Sequence, residues 1–454
     1  MEYVKKGGIG MILIGNGRVI TNDENDRIIE NGCIVIDGNT IKEIGETSLI
    51  KCKYEDKEHE YIDANGKVIM PGMINTHHHI YSQFARGLNF KSEKLQSFTD
   101  ILKNIWWKLD KKLTLEDLKY SAYTALIECI KDGVTTVFDH NSSPMSISGS
   151  LHTISNVADE LGIRGCYCYE ASDREGDRVL DLAIKENIDF IKYSEKKQDG
   201  MTKGMFGMHA SFTLRDRSLN KCIEAMEGID AGYHIHVAEG KEDLENSLKL
   251  YKKRVVKRLN DFGILGEKTI AAHCLYINDD ELDILKDTKT IVVNNPESNM
   301  ANGVGVSDIK SILDKGIVLG IGTDGYTSDI FESMKVENLI NKYHFSDYNI
   351  GLIETKQMAL KNNIKIASRF FEKTIGILKK GAYADIIIVD YKPFTPIDKN
   401  NYFGHILFGV SGKSVETTII NGKVVMKDRK IVSIDEEKIC RESINIAEKL
   451  WKRV

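Results

Sequence analysis

Short apolar runs, separated by polar stretches with helical spacing, set the rhythm of the chain's central part. The runs fall at 67–79, 134–139, 163–170, 206–209, 233–239, 270–274, 291–294 and 317–324. Amphipathic stretches such as 115–131, 242–262 and 280–285 lie between them. Thr114 with Asp117 resembles a capping box that starts a helix over 115–131, and Gly133 suits its end. Eight strands alternating with helices predict an α/β chain folded as a closed (β/α)8 TIM barrel. The competing doubly wound sheet requires a glycine-rich fingerprint after its first strand, and none is present.

The texture is different on either side. Before the barrel, strands are predicted over 11–19, 32–36 and 40–44, with a tight turn at Asp37-Gly38-Asn39 and a charged loop over 51–60. After a helical stretch at 352–375, strands return at 384–390, 417–420 and 423–426, the last two joined by Asn421-Gly422. These pieces predict a small β-sandwich domain built from both chain ends, 11–70 plus 376–434, with the barrel at 71–375 inserted between them. A C-terminal helix over 435–454 would pack through Cys440, Ile444, Ala447, Trp451 and Val454. A helix over 93–113 carries Trp106 and Trp107, which are expected to pack in the core although they could roof a pocket.

Composition narrows the partners. The formal net charge of the 454 residues is −5, with acids and bases interspersed. No basic patch or reader motif points to nucleic acid, and no apolar run is long enough for a membrane span. Lys5-Lys6 and the apolar run to Gly15 make a poor signal peptide and read as a disordered lead-in to the first strand. Eight scattered cysteines include no Cys-x-x-Cys pair, so reduced thiols in a cytoplasmic protein are expected.

The chemistry gathers at strand ends, where a (β/α)8 barrel keeps its active site. The first strand ends in His77 and His79, which share a face, while His78 points the other way. The fourth ends in His209, the fifth carries His234, His236 and Glu239, the sixth ends in His273 and the eighth in Asp324. Neutral imidazoles with one carboxylate suit one divalent metal ion, zinc or iron(II). His77, His79, His236 and Asp324 are the expected ligands, with His234 lying deeper as packing or support. Glu239, three residues after His236, can carry a proton between water and a leaving nitrogen. His273 can polarise the attacking water, and Asp324 can accept its proton. His209, Glu170 and Asn299 lie at or beyond strand ends and could contact substrate.

Five segments resemble, in order and spacing, the motifs of the amidohydrolase superfamily in its cytosine/guanine deaminase and chlorohydrolase branch. They are PGMINTHHH (71–79), YHIHVAE (233–239), AHC (272–274), NPESN (295–299) and GTDG (322–325). GAYADIIIVD (381–390) is similar to that branch's return into its small β domain, and the likeness runs from about 11 to 432. Within the branch, the triple histidine and NPESN are most like the SsnA aminohydrolases. The resemblance implies one metal on His77, His79, His236 and Asp324, with Glu239 and His273 catalytic. It also implies deamination of a small heterocycle, purine-, pyrimidine- or triazine-like, and a possible homodimer. Many relatives carry an acid where this chain has Asn75. Two-metal members use a strand-four lysine, and this strand ends in His209 instead, which favours a single ion. A cyclic amidase and a metal-binding barrel without turnover are the alternatives; His209 in place of the lysine argues against the first, and Glu239 with His273 argues against the second.

Overall fold

The computed structural model describes residues 10–89 and 95–454; the Lys5-Lys6 lead-in lies outside them. Two parallel sheets form the centre. One runs β1 (Met73–His78), β2 (Val134–Asn141), β3 (Arg164–Tyr169) and the first part of β4 (Thr202–Gly204). The other runs from the second part of β4 (Phe206–Ala210) through β5 (Tyr233–Val237), β6 (Ile270–His273) and β7 (Ile291–Asn294) to β8 (Leu319–Ile321). Parallel bridges from Ala171 to Met208 and from His78 to Asp324 join the two sheets edge to edge. The ring is thereby closed, and the strand-end residues face one mouth.

Local rules place most elements. The helix Leu115–Lys131 begins with a complete Thr114–Asp117 capping box and is followed by Gly133 at φ 80°. A Cβ on Gly133 would also crowd Val415 and Ile387. The predicted helix over 242–262 is two helices, Lys241–Tyr251 and Val255–Asp261, parted where Lys252 adopts φ 57°. The segment expected to be a loop at 51–60 is helical through Tyr54, because Ile50 and Tyr54 bury one face against Leu13, Cys33 and Val35. The stretch Phe98–Asp110 is helical, with a wide π turn at Leu102–Trp106.

Strands from both sides of the barrel segment share a single nine-stranded sheet. Ile386–Val389 pairs with Val68–Pro71 on one edge and with Val415–Ile420 on the other. Asn421 and Gly422, at φ 52° and 76°, turn the hairpin between Val415–Ile420 and Lys423–Lys427, since a two-residue turn of this hand needs positive φ at both positions. The final helix, Glu436–Trp451, buries Ser443, Ile446 and Leu450. Its predicted apolar stripe is offset from that face: Cys440 and Ile444 are exposed and border an open groove along Leu115–Lys131. All eight cysteines are unpaired. Among the described residues no helix is long and apolar enough to cross a membrane.

Candidate active site

Seven imidazoles crowd the mouth of the barrel. His77 and His79 share one side of β1, their rings 4.9 Å apart, while His78 turns away to the hydroxyl of Ser328 at 3.2 Å. Asn75 binds Thr323 through its amide nitrogen at 2.7 Å and so ties β1 to β8 below the site. Two of the left-handed residues of the chain are His273 (φ 73°) and Asp324 (φ 56°). Backbone of this kind in non-glycine residues costs about 1–3 kcal/mol each and collects at functional sites.

Three of these rings are anchored through Nδ1. That of His79 lies 2.6 Å from the carbonyl of His140, and that of His236 lies 2.8 Å from the carbonyl of His209. A carbonyl only accepts, so both rings carry their proton on Nδ1 and direct a bare Nε2 forward. Those two Nε2 atoms lie 3.1 Å apart, and Asp324 Oδ1 lies 3.1 Å from that of His79. The third ring, His77, is held by His234 Nε2 at 2.8 Å, and its buried Nε2 has no partner. Converging lone pairs beside a carboxylate repel one another unless a cation or a proton lies between them.

Electrostatics agree with that geometry. Burial and the neighbouring imidazoles hold His77, His234 and His236 well below the usual histidine range, which keeps them neutral. Burial opposes charge on His79, but the Asp324 carboxylate outweighs it and pushes its pKa up to about 9. Burial likewise opposes ionisation of Asp324, yet His79 and its neighbours hold it well below the carboxylate range. A divalent cation between these groups would take the place of the proton that draws His79 and Asp324 together. The donor set of three neutral nitrogens and one carboxylate suits such an ion.

Glu239 stands at the rim. Burial pushes its carboxyl up to about 7, and its Oε2 lies 3.7 Å from His273 Nε2. That nitrogen is buried without a hydrogen-bond partner and lies 3.5 Å from Asp324 Oδ2. Glu239 and Asp324 border a cavity of about 50 Å³ that Glu170, His209, Trp106 and Trp107 also line.

Several expectations change on this geometry. Asn299 does not line the cavity: both ends of its amide are taken, by His273 Nδ1 and by Asn294, each at 2.8 Å. Trp106 and Trp107 are not simply core, because the π turn brings both rings to the cavity wall. The guanidinium of Arg174 lies 4.9 Å from the Trp107 ring and backs it. His140, at the end of β2, was not singled out by the sequence reading. Its Nδ1 meets Glu170 Oε1 at 3.1 Å, and His79, His140, Glu170 and His236 could together hold an ion. Its place just after an apolar run, like that of His209, was the available signal.

A family model described as Amidohydrolase family matches residues 68–425, and the chain belongs to that family. It is a hydrolase of carbon–nitrogen bonds. It is 32% identical to the 5'-deoxyadenosine deaminase of Methanosarcina barkeri, over 98% of this chain and 99% of that one. It is 30% identical to the 5-methylthioadenosine/S-adenosylhomocysteine deaminase of Caldanaerobacter subterraneus subsp. tengcongensis, over 95% and 96%. In fold it matches a zinc-bound adenosine deaminase from Xanthomonas campestris at a TM-score of 0.84, with 18% identity and 97% and 98% coverage.

Proposed function

We propose that this protein is an aminohydrolase that uses one divalent ion to remove the ring amine of a 5′-substituted adenosine. The observation that carries the reading is the approach of His79 Nε2 both to His236 Nε2 and to Asp324 Oδ1, beside the unpartnered Nε2 of His77. His77, His79, His236 and Asp324 would hold the ion, zinc or iron(II), whose Lewis acidity lets a water lose its proton near neutral pH. His273 Nε2 orients the oxygen that attacks the ring carbon. Glu239, poised near neutrality, would take the proton that the water gives up and pass it to the ring nitrogen, then carry the proton of the newly added hydroxyl to the departing amine. His209 and Glu170 hold the ring from the opposite wall, and the two tryptophans exclude water. The nucleoside class is supported by the likeness to deaminases of 5'-deoxyadenosine and of 5-methylthioadenosine/S-adenosylhomocysteine.

We further read the nine-stranded sheet as a small two-layered sandwich over 11–70 and 376–434. Its inner cluster draws Ile14, Ile34 and Ile69 from one side of the barrel segment and Ile386, Ile388 and Ile419 from the other.

The test is ammonia release from 5′-deoxyadenosine, 5′-methylthioadenosine, S-adenosylhomocysteine, adenine, guanine and an aminotriazine, using anaerobically purified protein of measured metal content. The expected outcome is about one ion per chain and turnover of the nucleosides ahead of the free bases. A metal-loaded protein that frees ammonia from none of them defeats the proposal.

A further inference from the structure

Behind the mouth, a line of buried polar side chains leads away from His273 and is not explained by binding an ion or a substrate. His273 Nδ1 meets Asn299 Oδ1 at 2.8 Å, and Asn299 Nδ2 donates to Asn294 Oδ1 at 2.8 Å. Asn294 Nδ2 in turn donates to Glu337 Oε2 at 2.6 Å, and Asn341 Nδ2 donates to Glu337 Oε1 at 2.7 Å. All five residues are at most 2% exposed. They come from four elements: the end of β6, the short helix Pro296–Ala301, the last residue of β7 and the helix Ile330–Phe345.

Such a chain could run in either direction, because an amide offers a donor at one end and an acceptor at the other. Glu337 removes that freedom. Burial pushes the Glu337 carboxyl up to about 7, against which its two amide partners pull; above that pH it is a carboxylate, which only accepts, so both asparagines that reach it present their NH2 groups. With the Asn294 nitrogen fixed on Glu337, its oxygen faces Asn299, and the Asn299 oxygen faces His273. An oxygen at that place requires the proton of His273 on Nδ1, which leaves Nε2 as a bare acceptor. That Nε2 has no hydrogen-bond partner and lies between Glu239 and Asp324, where the reacting oxygen must arrive.

We propose that Glu337 is a positioning residue for His273: acting through Asn294 and Asn299, it sets the direction of the hydrogen-bond chain and so holds the imidazole in the Nδ1–H tautomer. The inference rests on the proposed role of His273 in deamination, but the tautomer can be read without any substrate. Glu337→Gln is the informative change. It keeps the shape and returns the choice of direction, because a glutamine can offer either group to either asparagine. Outer hydrogen-bond partners of this kind change activity about 10–100-fold where they have been removed from other sites.

The experiment is nitrogen-15 NMR of histidine-labelled, metal-loaded protein, with the His273 signals assigned by their loss in His273→Asn. The expected spectrum shows a protonated Nδ1 and an unprotonated Nε2. In Glu337→Gln the two tautomers mix, kcat on the nucleoside falls roughly tenfold, and KM and metal content stay within about twofold. Glu337→Asp, which keeps the carboxylate, recovers part of both signals. Should Glu337→Gln fail to fold, Asn294→Leu cuts the chain at its middle and is expected to give the same mixing. An Nε2–H tautomer in the unaltered protein overturns the proposal, and so does a tautomer unchanged in the variants, whatever happens to turnover. A changed tautomer with undiminished turnover overturns its link to catalysis. If no substrate is turned over, the assigned reaction fails while the spectrum still decides the tautomer.

Discussion

Arg164 opens strand β3 and Glu170 follows its last residue, so one short strand supplies a buried charge to each end of the barrel. At the start, everything is paired. Arg164 holds both oxygens of Asp385 at 3.0–3.1 Å and also reaches the carbonyl of Gly200, while the Tyr383 ring lies 4.2 Å from its guanidinium. Asp385 Oδ1 accepts as well from the Asn421 backbone at 2.7 Å. At the other end, Glu170 sits among His79, His140 and His209, in the same cluster of imidazoles in which Nε2 of His77 and Nε2 of His273 have no partner. The first cluster is complete in itself and joins the barrel to the nine-stranded sheet. The second is complete only when something else arrives. Burial alone does not separate structure from chemistry; unsatisfied bonding capacity facing a cavity does.

The sharpest break of that comparison is Glu239→Gln. Ammonia release should fall about 10³-fold, with metal content unchanged by elemental analysis. Arg164→Met attacks the paired end. It leaves Asp385 buried without its cation and should lower stability by about 3–5 kcal/mol in denaturant titration, while kcat per folded molecule stays the same. Trp107→Ala opens the cavity wall and should raise KM roughly tenfold, a change of about 1.4 kcal/mol, with a smaller effect on kcat. The gentlest test is Glu297→Gln. Glu297 is buried, neither of its oxygens has a partner, and it does not line the cavity. Burial pushes its pKa up to about 8, so the folded state favours the proton more than the unfolded state does. Its contribution is whole below the ordinary glutamate range and is lost as pH rises toward 8. Glu297→Gln should therefore raise the melting temperature at pH 8 by a few degrees, change little at pH 5, and leave turnover intact.

Much of the barrel was legible because strand and helix periods differ and because caps are local. The Thr114–Asp117 box and the Asn421-Gly422 turn each follow from a few adjacent residues. The candidate site follows from the same assumption that strand ends meet at one mouth: His77 lies near His236, their rings 5.1 Å apart, and His77, His79 and Asp324 form a group that could hold an ion. What escaped depended on distant partners. The helix Thr47–Tyr54 forms in a charged stretch because strands far from it offer an apolar face to Ile50 and Tyr54. Asn299 belongs to the His273 support because β7 and β6 are neighbours in the ring, a fact that no local pattern states. The tryptophans reach the cavity because a π turn rotates that helix, and their spacing alone predicts burial.

The pairing of Val68–Pro71 with Ile386–Val389 also bears on how the molecule comes into being. The earlier strand leaves the ribosome some 315 residues before its neighbour (386 − 71), an interval on the order of tens of seconds during synthesis. Throughout it, an apolar edge stands open, and the only companions available are the hairpin strands already made and the growing barrel. The nascent chain must therefore shelter that edge or entrust it to a chaperone until Ile386–Val389 is made and supplies its permanent cover.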